Sequence, residues 1–248
     1  MNKLITVAAV VVMAASLLQG CATPQGGNRP ADVMFKEGEV FFQNGNYEDA
    51  IAQWKRVKES YQSPELTTQA ELGIADAYFL KTDYIEAAAA YEDFRKLHPS
   101  HPRAAYALYR QALSHYRQIS RIDTDQTPVK NALATFESYV KAYPAGEFSG
   151  EARDRINDCK DKMLQYEIYV GRFYLRTDKY PAAIARFEEA LKAFPDQPRR
   201  DEVLFYLGRA YLEAGQKAKG RETYGRLIKE FPTSLYINDA NKVMDKYF

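Results

Sequence analysis

Leu207-Gly208-Arg209-Ala210-Tyr211, followed by Gly220, Tyr224 and Pro232, is the stretch from which the fold can be read. With Gly208 numbered as position 8 of a unit, position 8 recurs as Gly38, Ala75, Ala112 and Gly171, and position 11 as Phe41, Tyr78, His115, Tyr174 and Tyr211. Position 20 is Ala50, Ala87, Ala132, Ala183 and Gly220, while position 24 is Trp54, Tyr91, Phe136, Phe187 and Tyr224. Position 32 is Gln62, Pro99, Pro144, Pro195 and Pro232. Small residues at 8 and 20 let the two helices of a unit approach closely, and aromatics at 11 and 24 fill the groove between a unit and its neighbour. Proline at 32 ends the second helix, because it has no backbone donor and clashes with the preceding turn.

The pattern resembles the tetratricopeptide repeat, a helix-turn-helix unit of about 34 residues. The fold class it implies is all-α: a superhelix of five such repeats closed by a C-terminal capping helix, Tyr236 to Phe248. Position 8 advances by 37, 37, 59 and 37 residues, so the third interval is longer than the others by 22. Within the third unit 8 residues are added around Ser120 to Pro128, and Arg121 to Pro128 reads as a polar loop. The other 14 fall between Pro144 and Gly171. Nothing from Glu151 to Arg176 stops a helix, so these residues are expected to lengthen one helix by about four turns, ~21 Å.

The start of the chain has a different character. Met1 to Lys3 precede an apolar run of fifteen residues, Leu4 to Leu18, too short for the roughly 20 that cross a bilayer core. A basic start, a short apolar stretch and a small residue before a cleavage point make an export signal. Leu18-Gln-Gly-Cys21 resembles the bacterial lipobox, which implies that Cys21 is acylated as the first mature residue; ordinary secretory cleavage nearby is the alternative. The expected organisation is a signal over 1–20, a flexible tether over 21–31 and a repeat domain over 32–248. Ala22 stands where enteric lipoproteins of the inner membrane carry Asp, so the resemblance implies the periplasmic face of the outer membrane.

Lys plus Arg number 34 and Asp plus Glu 33, for a formal net charge of +1, which disfavours a nucleic-acid-binding module. Binding must therefore depend on local patches. The aromatic content, 19 Tyr and 13 Phe with one Trp, is mostly accounted for by the repeat positions. With Cys21 acylated, Cys159 has no disulfide partner in the chain and reads as a buried structural thiol.

Further residues carry a closer likeness. His98-Pro-Ser-His-Pro102 with Tyr106-Ala-Leu-Tyr-Arg-Gln-Ala-Leu113, then Ala132-Leu-Ala-Thr-Phe136, Tyr143-Pro144 and Gln165-Tyr-Glu-Ile-Tyr-Val170 leading to Phe173-Tyr174, resemble the YfiO/ComL family of outer-membrane lipoproteins. The resemblance implies a non-enzymatic subunit of the β-barrel assembly machinery. Its C-terminal repeats would bind the POTRA domains of BamA, and its N-terminal repeats would receive the C-terminal β-signal of unfolded outer-membrane proteins, alongside other Bam lipoproteins. Arg186 matches a family arginine implicated in the BamA contact, the other reading being a solvated surface arginine. Tyr61 matches a family tyrosine implicated in substrate recognition, the other reading being a packing residue at a helix end. The chain has Ser60-Tyr-Gln-Ser-Pro64 where the family commonly has Arg-Tyr-Pro-Phe-Gly, and its third-repeat loop is shorter than in enteric members.

Other chemistry is weakly represented. His98, His101, His115 and Cys159 lack a second ligand pair at metal-binding spacing, so no metal site and no cofactor are expected. Gly146-Glu-Phe-Ser-Gly150 is one residue short of a nucleophile elbow and reads as a turn with Ser149 as helix N-cap. Asp123 and Asp125 read as solvated charges rather than calcium ligands. Two rival functions are a pilotin-like lipoprotein assisting a secretin, disfavoured by the 37- and 59-residue intervals, and a CpoB-type envelope coordinator, disfavoured by the lipobox.

Overall fold

The computed structural model describes residues 29–248. The signal segment, Cys21 and most of the tether lie outside the described residues. The described chain forms α1 (Ala31–Gln43), α2 (Tyr47–Ser60), α3 (Pro64–Leu80), α4 (Tyr84–Leu97), α5 (Ala104–Arg117), α6 (Thr127–Ala142), α7 (Ser149–Arg176), α8 (Tyr180–Ala193), α9 (Arg200–Glu213), α10 (Lys217–Glu230) and α11 (Ile237–Tyr247). It is an all-α tetratricopeptide fold of successive helix hairpins followed by one terminal helix. It divides into two compact units, one up to Ala70 and one from Glu71 to Phe248, and the division falls within α3.

In the first unit, α1 and α2 pair around Trp54. A Cβ on Gly38 would stand 2.5 Å from the indole Nε1, so only glycine leaves room for the ring. Trp54 Nε1–H donates to the Phe35 carbonyl at 3.3 Å, and the Phe42 ring lies 5.5 Å from the indole. The turn between the helices passes through Gly45 at φ 77, a left-handed conformation that costs glycine little. Ala31, expected to end the tether, is instead the buried first residue of α1. Its amide, one of the donors a helix start leaves unpaired, is taken up by the side chain of Gln62 at 2.9 Å.

In the second unit the hairpins repeat the same contact. Cβ atoms on Gly171 and Gly208 would stand 2.4 Å from Phe187 and 2.6 Å from Tyr224, so position 8 faces position 24 of its own hairpin. Ala75 with Tyr91, and Ala112 with Phe136, occupy the corresponding places in their cores. Tyr211, at position 11, reaches back to the preceding hairpin, its hydroxyl donating to Glu188.

Helix α7 has 28 residues where α5 and α9 have 14, which takes up 14 of the 22 extra residues of the long interval. Its first half, with Ala152 and Cys159, packs among Leu108, Phe136 and Tyr139. Its second half, with Leu164, Ile168 and Leu175, packs among Ile184, Phe187 and Val203. One helix thus runs through two hydrophobic cores, and Met163 is partly buried against both. Each large side chain buried this way contributes about 1.5–3 kcal/mol.

Three local boundaries differ from the sequence expectation. Thr127 and Pro128 belong to the first turn of α6 rather than to the loop, a place where proline's missing donor costs nothing. Ser149 is not an N-cap: it is the buried first residue of α7, and its hydroxyl donates to the Tyr143 carbonyl at 2.6 Å. The terminal helix begins at Ile237, one residue after Tyr236.

Candidate partner-binding surfaces

Tyr61 terminates α2 in the left-handed region, at φ 54 and ψ 21, and the residue is 89% exposed. A bulky residue rarely adopts this conformation, and here it turns the ring outward instead of packing it against the helix end. The packing reading of Tyr61 is therefore overturned. Next to it, Gln62 Oε1 accepts from the Ala31 amide, and Gln62 Nε2 donates to the Arg29 carbonyl at 3.1 Å. The residue that breaks the proline pattern at position 32 thus fastens the chain where α1 starts, a task proline could not perform. Arg29 also pairs with Glu37.

Arg186 sits on α8 beside the fully buried Phe187, and this register turns the arginine toward the outside of the hairpin. Its Nη1 lies 3.2 Å from Glu167 Oε2 on α7, and 46% of its side chain is accessible. One N–H of the guanidinium is engaged, leaving others of its five donors for a second carboxylate. Glu167 was not singled out in the sequence. It stands 19 residues from Arg186, and only the register of α7 against α8 brings the two together.

The motif around Tyr106 forms a partly buried network. Asp76 Oδ1 accepts from Tyr91 Oη at 2.5 Å and from Tyr106 Oη at 2.7 Å. Arg110 Nε donates to Tyr91 Oη at 3.1 Å, and its guanidinium lies 3.7 Å above the Phe79 ring. Burial, reinforced by Asp76, pushes the Tyr106 hydroxyl up to about 12. Gln111 accepts from Arg95 Nη1 at 2.6 Å. These residues bind the second and third hairpins together, a structural task.

Of the remaining reactive side chains, His98 and His101 have ring centroids 6.5 Å apart. His98 Nε2 lies 2.6 Å from Glu71 Oε2, and His101 Nδ1 accepts from the Arg103 amide. His115 is half-buried, which depresses its pKa. Cys159 is a free, buried thiol, pushed up to about 12 by burial and then by Asp158. Asp125 accepts from the Thr127 amide and hydroxyl at 2.9 and 2.8 Å, which holds its carboxyl below the usual range, while Asp123 pairs with Arg121. Among the described residues no three His, Cys, Asp or Glu side chains are grouped to hold a metal ion. None of the described helices is long and apolar enough to cross a membrane.

Helix hairpins, exposed aromatic and arginine side chains and polar groups spent on holding hairpins together define a repeat scaffold. The chain belongs to the YfiO family, described as outer membrane lipoproteins, which matches residues 28–226. It is 28% identical to the outer membrane protein assembly factor BamD of Caulobacter vibrioides, over 97% of this chain and 80% of that one. It is 27% identical to BamD of Rickettsia prowazekii, over 99% of both, and 28% identical to BamD of Vibrio cholerae, over 82% of this chain and 90% of that one. The solved TPR2AB domain of yeast Sti1, in complex with pHSP90, aligns at TM-score 0.45 and 13% identity, over 89% of this chain and 86% of that one.

Proposed function

We propose that the chain is a non-enzymatic outer-membrane lipoprotein that serves as an assembly factor for β-barrel proteins. The observation that carries this reading is the family match across residues 28–226, joined by relatives named as BamD along nearly the whole chain. Acyl chains on Cys21 would hold the scaffold at the periplasmic face, each buried CH₂ adding about 0.8 kcal/mol. The half-exposed guanidinium of Arg186, already oriented by Glu167, would take a carboxylate of the BamA POTRA domains in a bidentate pair. Tyr61, exposed beside the start of the array, would meet the aromatic terminus of an unfolded barrel strand. Other Bam lipoproteins would join through the remaining repeat surface. The test is binding of purified BamA POTRA domains to the full chain in detergent. Saturable complex formation is expected, and its absence at high micromolar concentration would remove the BamA assignment.

A further inference from the structure

Along the second half of α7 two recesses of 390 and 150 Å³ adjoin, sharing Arg172 and Arg176 in their walls. Arg199 and Arg209 complete the basic lining, and Tyr169 and Tyr206 supply ring surface. Glu202 is the one acidic residue of that lining, in a chain whose total charges almost cancel. This is a concentrated basic patch on a nearly neutral protein.

The arginines are under-neutralised. Glu202 is shared by Arg172 Nη1 at 3.9 Å and Arg199 Nη1 at 3.7 Å, so two guanidiniums contend for one carboxylate. Arg199 also meets Asp161 at 3.0 Å, and Arg209 reaches Glu213 only at 3.9 Å. Arg176 has no ion pair among the described residues. Arg172 also lies 4.9 Å over the Tyr206 ring, a cation–π contact in the recess wall.

Spacing selects the ligand. Arg172 and Arg176 are one turn apart, about 6 Å along the axis. Side chains on one face of an extended peptide recur every ~6.6 Å. We propose that this groove binds an extended acidic segment of a partner protein, with carboxylates on every second residue facing Arg172 and Arg176 and flanking apolar groups on Tyr169 and Tyr206. A concave recess does not match a planar bilayer, and the near-zero net charge gives no long-range field for a polyanion. The inference does not rest on Arg186 or on the BamA contact, so either can fail alone.

The test is fluorescence polarisation of labelled Ser-Glu-Tyr-Glu-Tyr-Glu-Ser, and of its Gln-for-Glu counterpart, with the full chain in detergent. The acidic peptide is expected to bind at least ~10-fold tighter than the neutral one, and Arg176→Glu to remove about that factor. Arg176 is exposed and unpaired, so its variant should melt like the parent, and Arg172→Gln gives a second, milder reading. Binding should weaken several-fold between about 50 and 500 mM salt. Equal affinity for the two peptides, or undiminished binding by Arg176→Glu, would overturn the proposal. So would binding of phosphatidylglycerol vesicles in place of the peptide by the Cys21→Ser chain, if Arg176→Glu abolished it.

Discussion

Phe187 is fully buried against Gly171, so close that a Cβ on the glycine would stand 2.4 Å from the ring's Cε1. The ring cannot retreat, because its other side packs in the core with Leu164 and Val203. Gly171→Val should therefore overpack the hairpin and cost about 1–3 kcal/mol, outweighing the roughly 0.3–0.5 kcal/mol of helix propensity gained. Gly225 is also helical, but a Cβ there would meet nothing within 4 Å, so it supplies the control. Its change to Ala should stabilise by about 0.5–1 kcal/mol. Urea midpoints of the two variants check the opposite signs.

Arg186 and Glu167 form an exposed pair, which as a stability element is worth about 0–1 kcal/mol. Arg186→Glu should leave the melting temperature within a few degrees of the parent while weakening POTRA binding at least ~10-fold. Titration calorimetry beside a thermal scan separates the two effects. Unchanged affinity would return Arg186 to the ordinary surface.

Tyr61 spends backbone energy to hold its ring outward. Glycine adopts φ 54 freely, so Tyr61→Gly should preserve stability or raise it by up to about 1 kcal/mol. The same variant should lose affinity for a peptide ending in a barrel β-signal. A stability gain with full peptide affinity would mean that the ring has no part in recognition. Gln62→Pro should act differently, since a residue before proline avoids helical conformations and two hydrogen bonds disappear. Faster amide exchange at the start of α1 is the expected sign.

Cys159 fixes a pH dependence. Its pKa is raised in the folded state, so the folded chain keeps a proton that the unfolded chain releases above about 8.5. The stabilisation is complete below that pH and is lost as pH climbs toward 12. Urea midpoints should fall between about pH 8.5 and 10, and Cys159→Ala should flatten that part of the curve. In a Cys21→Ser background, Ellman's reagent at pH 8 should label Cys159 only after unfolding. Prompt native labelling would contradict its burial.

Most of this fold was legible because repeat packing writes itself into single positions. Gly171, Phe187 and Pro195 each have one steric role, and a helix without a stop between Glu151 and Arg176 has one outcome. The ends of helices were less legible. Ser149 and Pro128 suit either side of a boundary, and tertiary contacts, such as the Ser149 hydroxyl on Tyr143, decide between them. The sites were legible only in part. Arg186 and Tyr61 were found through likeness to a family, whereas Glu167, the double role of Gln62 and the convergence of Arg172, Arg176, Arg199 and Arg209 depend on how separate helices register.

The central claim is that this scaffold serves the assembly of outer-membrane β-barrels. Controlled depletion of the chain in its own host, followed by quantitative proteomics of the outer membrane, tests it most directly. The predicted result is a broad, selective fall in β-barrel proteins while other lipoproteins persist. Barrel levels that hold while only a secretin or the cell wall is disturbed would contradict it.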